Sequence, residues 1–190
     1  IVYDPALVEK PITCYADLWD ESLKDNLAVI GNYRVVDGMA LKILGESYNT
    51  EDPAVLEQAK AKLLELAPNI RLIKDANTQD DPDLQVVYPA EGVGFGIMAQ
   101  FIPSNAPHSD AAHAFIDYIL RPEVAKSCFE WMGYYCTNKA ADSLIDPAYR
   151  SFLTLPEDFD GKTEMIQNVS AETEEIHAQM WTEFKAACGQ

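Results

Sequence analysis

The sequence predicts an α/β layer, in which short apolar strands alternate with amphipathic helices. Two observations carry this expectation. The run Leu27-Ala28-Val29-Ile30 is wholly apolar and is stopped by Gly31, as a buried strand is, and Ile70 to Ile73 repeats the pattern. Between the two lie stretches of helical period, about Tyr33 to Leu44 and Pro53 to Leu66. Strand, helix, helix and strand therefore follow in order, which calls for a parallel or mixed sheet.

Taken from the N-terminus, Tyr15 to Lys24 reads as a short amphipathic helix around Leu18, Trp19 and Leu23. The helix from Tyr33 buries Val36, Met39, Ala40 and Ile43 and stops at Gly45, since glycine enters the left-handed region without strain. Asn49-Thr50-Glu51-Asp52-Pro53 is a helix start, and Val55, Leu56, Ala59, Leu63 and Leu66 then share one face up to Pro68. Asn77 to Asp83 is a polar turn. Leu84 to Tyr88 and Phe95 to Ile102 are strand candidates separated by Glu91-Gly92-Val93-Gly94. Ser109-Asp110 caps a helix with Ala112, Phe115, Ile116 and Ile119 on one side, and Arg121-Pro122-Glu123 breaks it before another that runs to Met132. Polar turns dominate from Asn138 to Asp160. The final helix, about Ala171 to Ala187, buries Ile176, Met180, Trp181 and Phe184, with Glu172, Glu174 and Glu175 near its positive N-terminus.

With 190 residues, 48% of them hydrophobic, the chain can bury a core in one large or two small domains. Its 31 acidic and 14 basic residues leave a formal charge of -17, which argues against nucleic acid as a partner because phosphate binding needs clustered Lys and Arg. The charge serves either solubility or an attraction for cationic solutes. No apolar run is long enough for a membrane span, and Ile1-Val2-Tyr3-Asp4 lacks the basic start of a signal peptide, so no signal segment is expected within this chain. Cys14, Cys128, Cys136 and Cys188 have no CxxC or Cys/His spacing that suits zinc, so neither metal nor cofactor is expected. A Cys128 to Cys136 disulfide is compatible with an oxidising compartment.

Gly92-Val93-Gly94-Phe95-Gly96 is not followed by a helical pattern, so a hinge or a close backbone approach explains its glycines better than a phosphate loop does. His108, His113 and His177 show no HExxH spacing, and no Gly-x-Ser-x-Gly elbow marks a nucleophile. A hydrolase or transferase would have to use Cys136 or an acid pair such as Asp80-Asp81 or Glu174-Glu175. Such pairs usually belong to turns and solvated faces.

Three stretches together resemble the polyamine (spermidine/putrescine) branch of the periplasmic solute-binding proteins. The first is Ile12-Thr13-Cys14-Tyr15-Ala16-Asp17-Leu18-Trp19. The second is Gly38-Met39-Ala40-Leu41-Lys42-Ile43-Leu44-Gly45, followed by Asn49-Thr50-Glu51-Asp52-Pro53 and the helix ending Leu66-Ala67-Pro68-Asn69. The third combines Tyr88-Pro89-Ala90-Glu91-Gly92, Phe101-Ile102-Pro103-Ser104-Asn105-Ala106 and the segment from Ala114 to Ala125. The resemblance implies a periplasmic-binding-protein-like fold of two α/β lobes joined by crossing strands, with the solute held in the cleft. Residues 1–93 would form the main part of the second lobe, 94–140 a return through the first lobe and hinge, and 141–190 the second lobe again. Most of the first lobe has no counterpart in this sequence. One strand-helix unit is also missing where the chain runs from Asn77 to Pro82, so an interruption is expected there. The implied function is an extracytoplasmic solute-binding subunit, periplasmic or a surface lipoprotein, which hands a small molecule to an ABC permease and catalyses nothing. The rival readings are an α/β hydrolase or transferase and a non-transport sensor domain.

The resemblance also locates the expected ligand positions. Polyamine-binding members carry acidic residues after the strand corresponding to Leu27 to Ile30, and an aromatic and an Asp in the crossing strand. This sequence has Asn32 and Val35 at the first pair and Gly96 and Met98 at the second. Charged hydrogen bonds contribute roughly 1.5 to 3 kcal/mol each, so a ligand less cationic than spermidine is expected. The expected contacts are Asn32 and Tyr33 at a strand-to-helix junction, Phe95 and Met98 in the crossing strand, and Gln167 and Asn168 before the final helix.

Overall fold

A computed structural model describes residues 1–74, 84–133, 137–150 and 162–189. Among these, the strands are β1 (Val2–Tyr3), β2 (Leu27–Val29), β3 (Ile70–Ile73), β4 (Gln85–Val86), β5 (Val93–Phe95) and β6 (Thr163–Met165). The α-helices are α1 (Tyr33–Ile43), α2 (Pro53–Leu66), α3 (Ser109–Ile119), α4 (Pro122–Met132), α5 (Lys139–Asp142), α6 (Pro147–Arg150) and α7 (Ala171–Ala187). The chain forms two compact units, residues 1–96 with 160–190 and residues 97–159.

The first unit holds all three strand pairs. β2 and β3 run parallel, as do β5 and β6, whereas β1 and β4 are antiparallel. Local chemistry sets the helix limits. Asn32 accepts from Val35 N to cap α1, and Gly45, at φ +80, ends it with Glu46 N bonded back to Leu41 O at 2.9 Å. Asp52 caps α2 through Ala54 N, with Pro53 in its first turn. Fully buried Leu41, Leu56, Leu63 and Leu66 bring α1 and α2 together, each contributing roughly 2 kcal/mol of burial free energy.

α7 completes this core on a stripe that keeps the expected Met180 and Phe184 but is rotated away from Ile176 and Trp181. Thr173, His177, Met180 and Phe184 are buried, while Ile176 and Trp181 are only half-buried. The cause is polar: His177 Nδ1 lies 2.8 Å from Asp37 Oδ2 of α1, and both side chains are fully buried. Two buried polar groups can only be tolerated facing one another, so the pair fixes the rotation of α7.

Other elements also depart from expectation. The helix expected over Tyr15 to Lys24 is two 3-10 turns, Tyr15–Trp19 and Glu21–Leu23, because Asp20 is extended and turns its carboxylate to Ser22 N. The strand expected over Phe95 to Ile102 ends at Phe95, where its partner β6 ends, and Ile97, Met98 and Phe101 are exposed. Leu84 to Tyr88 shortens to β4, which pairs with Val2 and Tyr3 of β1, and the pairing is extended by backbone bonds between Ile1 and Val87 at 2.8 and 2.9 Å. The polar stretch after Asn138 contains the short helices α5 and α6.

The second unit, within its described residues, is helical. Ala125 and Phe129 of α4 are buried, as are Ala141 and Ile145, and Phe129 meets Tyr149 edge to face. On α3, Ala112, Ile116 and Ile119 are half-buried and Phe115 is exposed. Cys14, Cys128 and Cys188 are free thiols. Cys136 and the connection from Asn77 to Pro82 lie outside the described residues.

Burial raises the Asp37 carboxyl above its ordinary pKa, against the opposing pull of His177 and Arg34. A raised folded-state pKa stabilises the fold at low pH, and the contribution is lost as pH rises through that pKa. Asp37→Asn keeps an acceptor for His177 but does not titrate. Its melting temperature relative to the parent is expected to rise from pH ~4 to pH ~8, measured by thermal melts across that range. A pH-independent difference would contradict this account.

Candidate functional site

In the first unit, the carboxyl ends of β2 and β6 lead into Gly31-Asn32-Tyr33 and Ile166-Gln167-Asn168, the kind of junction where open α/β sheets place ligands. Asn32 is exposed, and its Oδ1 accepts from Val35 N at 3.4 Å. Tyr33 donates its hydroxyl to Glu174 in the first turn of α7, and that bond holds the phenol above its ordinary pKa. Arg34 lies beside it, 3.5 Å from Glu174, and its Nη2 donates to Tyr48 O at 3.0 Å and toward Asn49 Oδ1 at 3.5 Å.

Glu164 of β6 organises the other side of the site. Its carboxylate accepts from Lys42 Nζ at 2.7 Å, Tyr48 N at 3.2 Å, Asn49 Nδ2 at 3.0 Å and the Ser47 hydroxyl. Burial works against ionisation here, but the bonds from Lys42, Ser47 and the Tyr48 amide outweigh it and hold the carboxyl below the usual range. The residues beyond β6 are held on both edges: Ile166 N donates to Phe95 O at 2.9 Å, and Gln167 N donates to Asn49 Oδ1 at 2.7 Å.

Gly92 and Gly94 of the crossing segment serve close packing, as the sequence suggests, whereas a Cβ on Gly96 would meet nothing within 4 Å. A Cβ on Gly94 would lie 2.8 Å from the Tyr48 ring, and one on Gly92, at φ +105, would lie 2.5 Å from Lys162 O. The same ring presses on α1, where a Cβ on Gly38 would lie 2.0 Å from Tyr48 Cε1.

Phe95, Gln167 and, through Arg34 and Asn49, the start of α1 are thus linked by a chain of hydrogen bonds within one unit. Asn168 is exposed next to Gln167. Phe95 is 42% exposed at the end of β5. Met98, 72% exposed, falls in the other unit. Sequence reading did not single out Glu164, the Asn49 amide or Arg34, because the bonds of Glu164 to Lys42 and Asn49, of Asn49 to Gln167 and of Arg34 to Glu174 each span more than 100 residues and leave no local pattern. Among the described residues, no group of three His, Cys, Asp or Glu side chains could hold a metal ion, and no helix is long and apolar enough to cross a membrane.

A profile of the family described as "Bacterial extracellular solute-binding protein" matches residues 65–151. The spermidine/putrescine-binding periplasmic protein of Salmonella typhimurium is 34% identical over 169 residues, covering 77% of this chain and 49% of the relative. That of Escherichia coli is 31% identical over 205 residues, covering 95% of this chain and 59% of the relative. A solved structure from Listeria monocytogenes, assigned to spermidine/putrescine ABC transport, superposes with TM-score 0.84 at 25% identity over 97% of this chain and 65% of its own. The chain therefore spans about half to three-fifths of the curated relatives' length, and its fold is that of the α/β two-lobe binding proteins.

Glu164→Ala would leave Lys42, Ser47, the Tyr48 amide and Asn49 Nδ2 without their common acceptor. It is expected to destabilise the protein by about 3 kcal/mol in urea unfolding. Because the folded-state pKa is lowered, the contribution of Glu164 is present above its ordinary value of 4.5 and is lost as pH falls through the lowered value. The penalty of the substitution should accordingly shrink on acidification.

Proposed function

The chain belongs to the bacterial extracellular solute-binding proteins, in their spermidine/putrescine-binding branch, and from that premise we propose that it is the solute-capturing part of an ABC importer. The observation that carries this reading is the joint placement of Asn32, Phe95 and Gln167 at strand carboxyl ends of one unit, on a fold shared with such proteins. Proteins of this family bind small molecules and are not enzymes. Among the described residues, buried Asp37 is partnered with His177 and half-buried Glu164 with Lys42. That supports capture without chemistry and does not favour the hydrolase or transferase reading. The Cys136 on which that reading leaned lies outside the described residues.

Within the first unit, the solute contacts are Asn32, Tyr33, Phe95, Gln167 and Asn168. The groups at the two junctions are amides and aromatic surface, which suits a ligand less cationic than spermidine. The polyamine reading remains the competitor, favoured by the formal charge of -17 and by the ligands in the relatives' names. The protein works outside the cytoplasmic membrane, like its periplasmic relatives, and its partner is a membrane permease.

Isothermal titration calorimetry against spermidine, putrescine, glutamine, maltose and citrate tests both solute and site. The expected outcome is saturable binding of a panel member other than spermidine, weakened about tenfold or more by Asn32→Ala or Tyr33→Ala, the loss of one to two hydrogen bonds. Submicromolar spermidine binding that both substitutions leave unchanged would refute the site and the ligand class together.

A further inference from the structure

The Asn49 side-chain amide is bonded at both ends in a pattern that belongs to a β-ladder. Its Nδ2 donates to Met165 O at 3.0 Å and to Glu164 Oε1 at 3.0 Å, and its Oδ1 accepts from Gln167 N at 2.7 Å and from Arg34 Nη2 at 3.5 Å. Along an extended chain, the carbonyl of one residue and the amide two residues on face the same edge. Met165 O and Gln167 N are such a pair, and Ile166 N points to the opposite edge, where it meets Phe95 O at 2.9 Å. In a parallel ladder, a single residue of the neighbouring strand would donate to the first group and accept from the second. Asn49 performs both operations with its side chain. Its orientation is fixed, because a flipped amide would set its NH2 against the Gln167 amide and its oxygen against the Met165 carbonyl.

We propose that Asn49 is a positioning residue that stands in for a third strand beside β6, fixes the backbone at Gln167, and thereby sets the direction in which Gln167 and Asn168 face the solute. The inference rests on the reading of those two residues as solute contacts. β6 ends at Met165, so without Asn49 the backbone at Ile166 and Gln167 would keep only its bond to Phe95. The next anchor of the described chain is Ser170 N, which donates to Glu51 Oε2 at 3.2 Å. Gln167 and Asn168 are both exposed, so neither is held by side-chain packing. Asn49 is only half-buried, yet each of its polar side-chain atoms is engaged. Through Arg34 the same amide touches the first turn of α1, so the two proposed contact segments share one support.

Two measurements on the same variants test this. Hydrogen–deuterium exchange reads the hold on Gln167 with no ligand present, and calorimetry with spermidine, putrescine, glutamine, maltose and citrate reads its consequence. Asn49→Ala is expected to speed exchange of the Gln167 amide about tenfold, as loss of one hydrogen bond implies, while exchange in the core of α2 is unchanged. It should weaken the tightest-binding panel member by a similar factor. In a Gln167→Ala/Asn168→Ala background, Asn49→Ala should cause little further loss of affinity while still lowering the melting temperature, a separation that a merely structural role would not produce. Asn49→Gln keeps both amide functions but displaces them by one methylene, and serves where Asn49→Ala does not fold. It should speed Gln167 exchange and weaken binding together, and unchanged Gln167 exchange in this variant overturns the proposal. Unchanged Gln167 exchange in Asn49→Ala, or equal affinity losses in the two backgrounds, overturns it as well. A parent protein that binds no panel member but shows Asn49-dependent protection overturns the solute-site reading and the positioning role built on it. Intact binding with unchanged protection sinks the positioning role alone.

Discussion

The first unit turns on one carboxylate. Glu164 lies more than 100 residues beyond the helix and turn it binds, and it gathers donors from Lys42 at the end of α1 and from Ser47, Tyr48 and Asn49 in the turn before α2. A half-buried carboxylate is tolerated only when its lone pairs are filled, and here donors from four residues fill them. β6 is therefore tied to the α1–α2 turn by charge-assisted bonds, which compensates for the shortness of its pairing with β5. A ladder of three residues would not define the strand by itself.

The same turn is packed as tightly as it is bonded. Tyr48 is 1% exposed, and its ring occupies the space that a Cβ at Gly38 or Gly94 would need. Glycine within α1 lowers helix stability by roughly 1 kcal/mol relative to alanine, and at position 38 that loss is what admits the aromatic ring. The Tyr48 hydroxyl meets that of Tyr15 at 3.3 Å, and Tyr15 and Ala16 donate their amides to Glu91 just before β5. One ring thus brings α1, the first 3-10 turn and the crossing strand into register, with Glu164 holding the Tyr48 amide and the side chains of Ser47 and Asn49 on either side of it.

The sequence makes the helices legible and leaves the polar connections hidden. Asn32, Asp52 and Gly45 announce the limits of α1 and α2 through local chemistry that acts within four residues, and Pro122 does the same for α4, whereas α3 starts at Ser109 with His108 in the cap position and no side-chain cap bond. The strands are less legible because pairing, and not pattern, decides where they stop. Phe95 to Ile102 is apolar enough to continue, but β6 offers it no further partner. α7 was misjudged for a related reason. A stripe chosen by hydrophobicity selects Ile176 and Trp181, whereas the buried Asp37 across the interface selects His177. Asn32 could be named from its place beside a strand end, and Gln167 from its place before the final helix, where the resemblance puts the cleft. Asn49 could not, because an asparagine before a helix reads as a cap until its distant backbone partners are known.

The distribution of bonds also bears on what such a site could hold. A formal charge of -17 suggests affinity for cations, yet a carboxylate attracts a ligand only in proportion to what its own neighbours leave uncompensated. Around these junctions, Glu164 is paired with Lys42, Glu174 with Tyr33 and Arg34, and Glu51 with Ser170 and Thr173. Asp37 is sealed in the core beside His177. The acidic groups bonded to these segments therefore commit their charge to the fold, and the polar side chains exposed at the two junctions are the amides of Asn32, Gln167 and Asn168. Amides discriminate by direction and not by net charge, since each offers a donor and an acceptor in one plane. Selectivity at such a site depends on how firmly those planes are held, which makes the support beneath Gln167 as consequential as the residue itself.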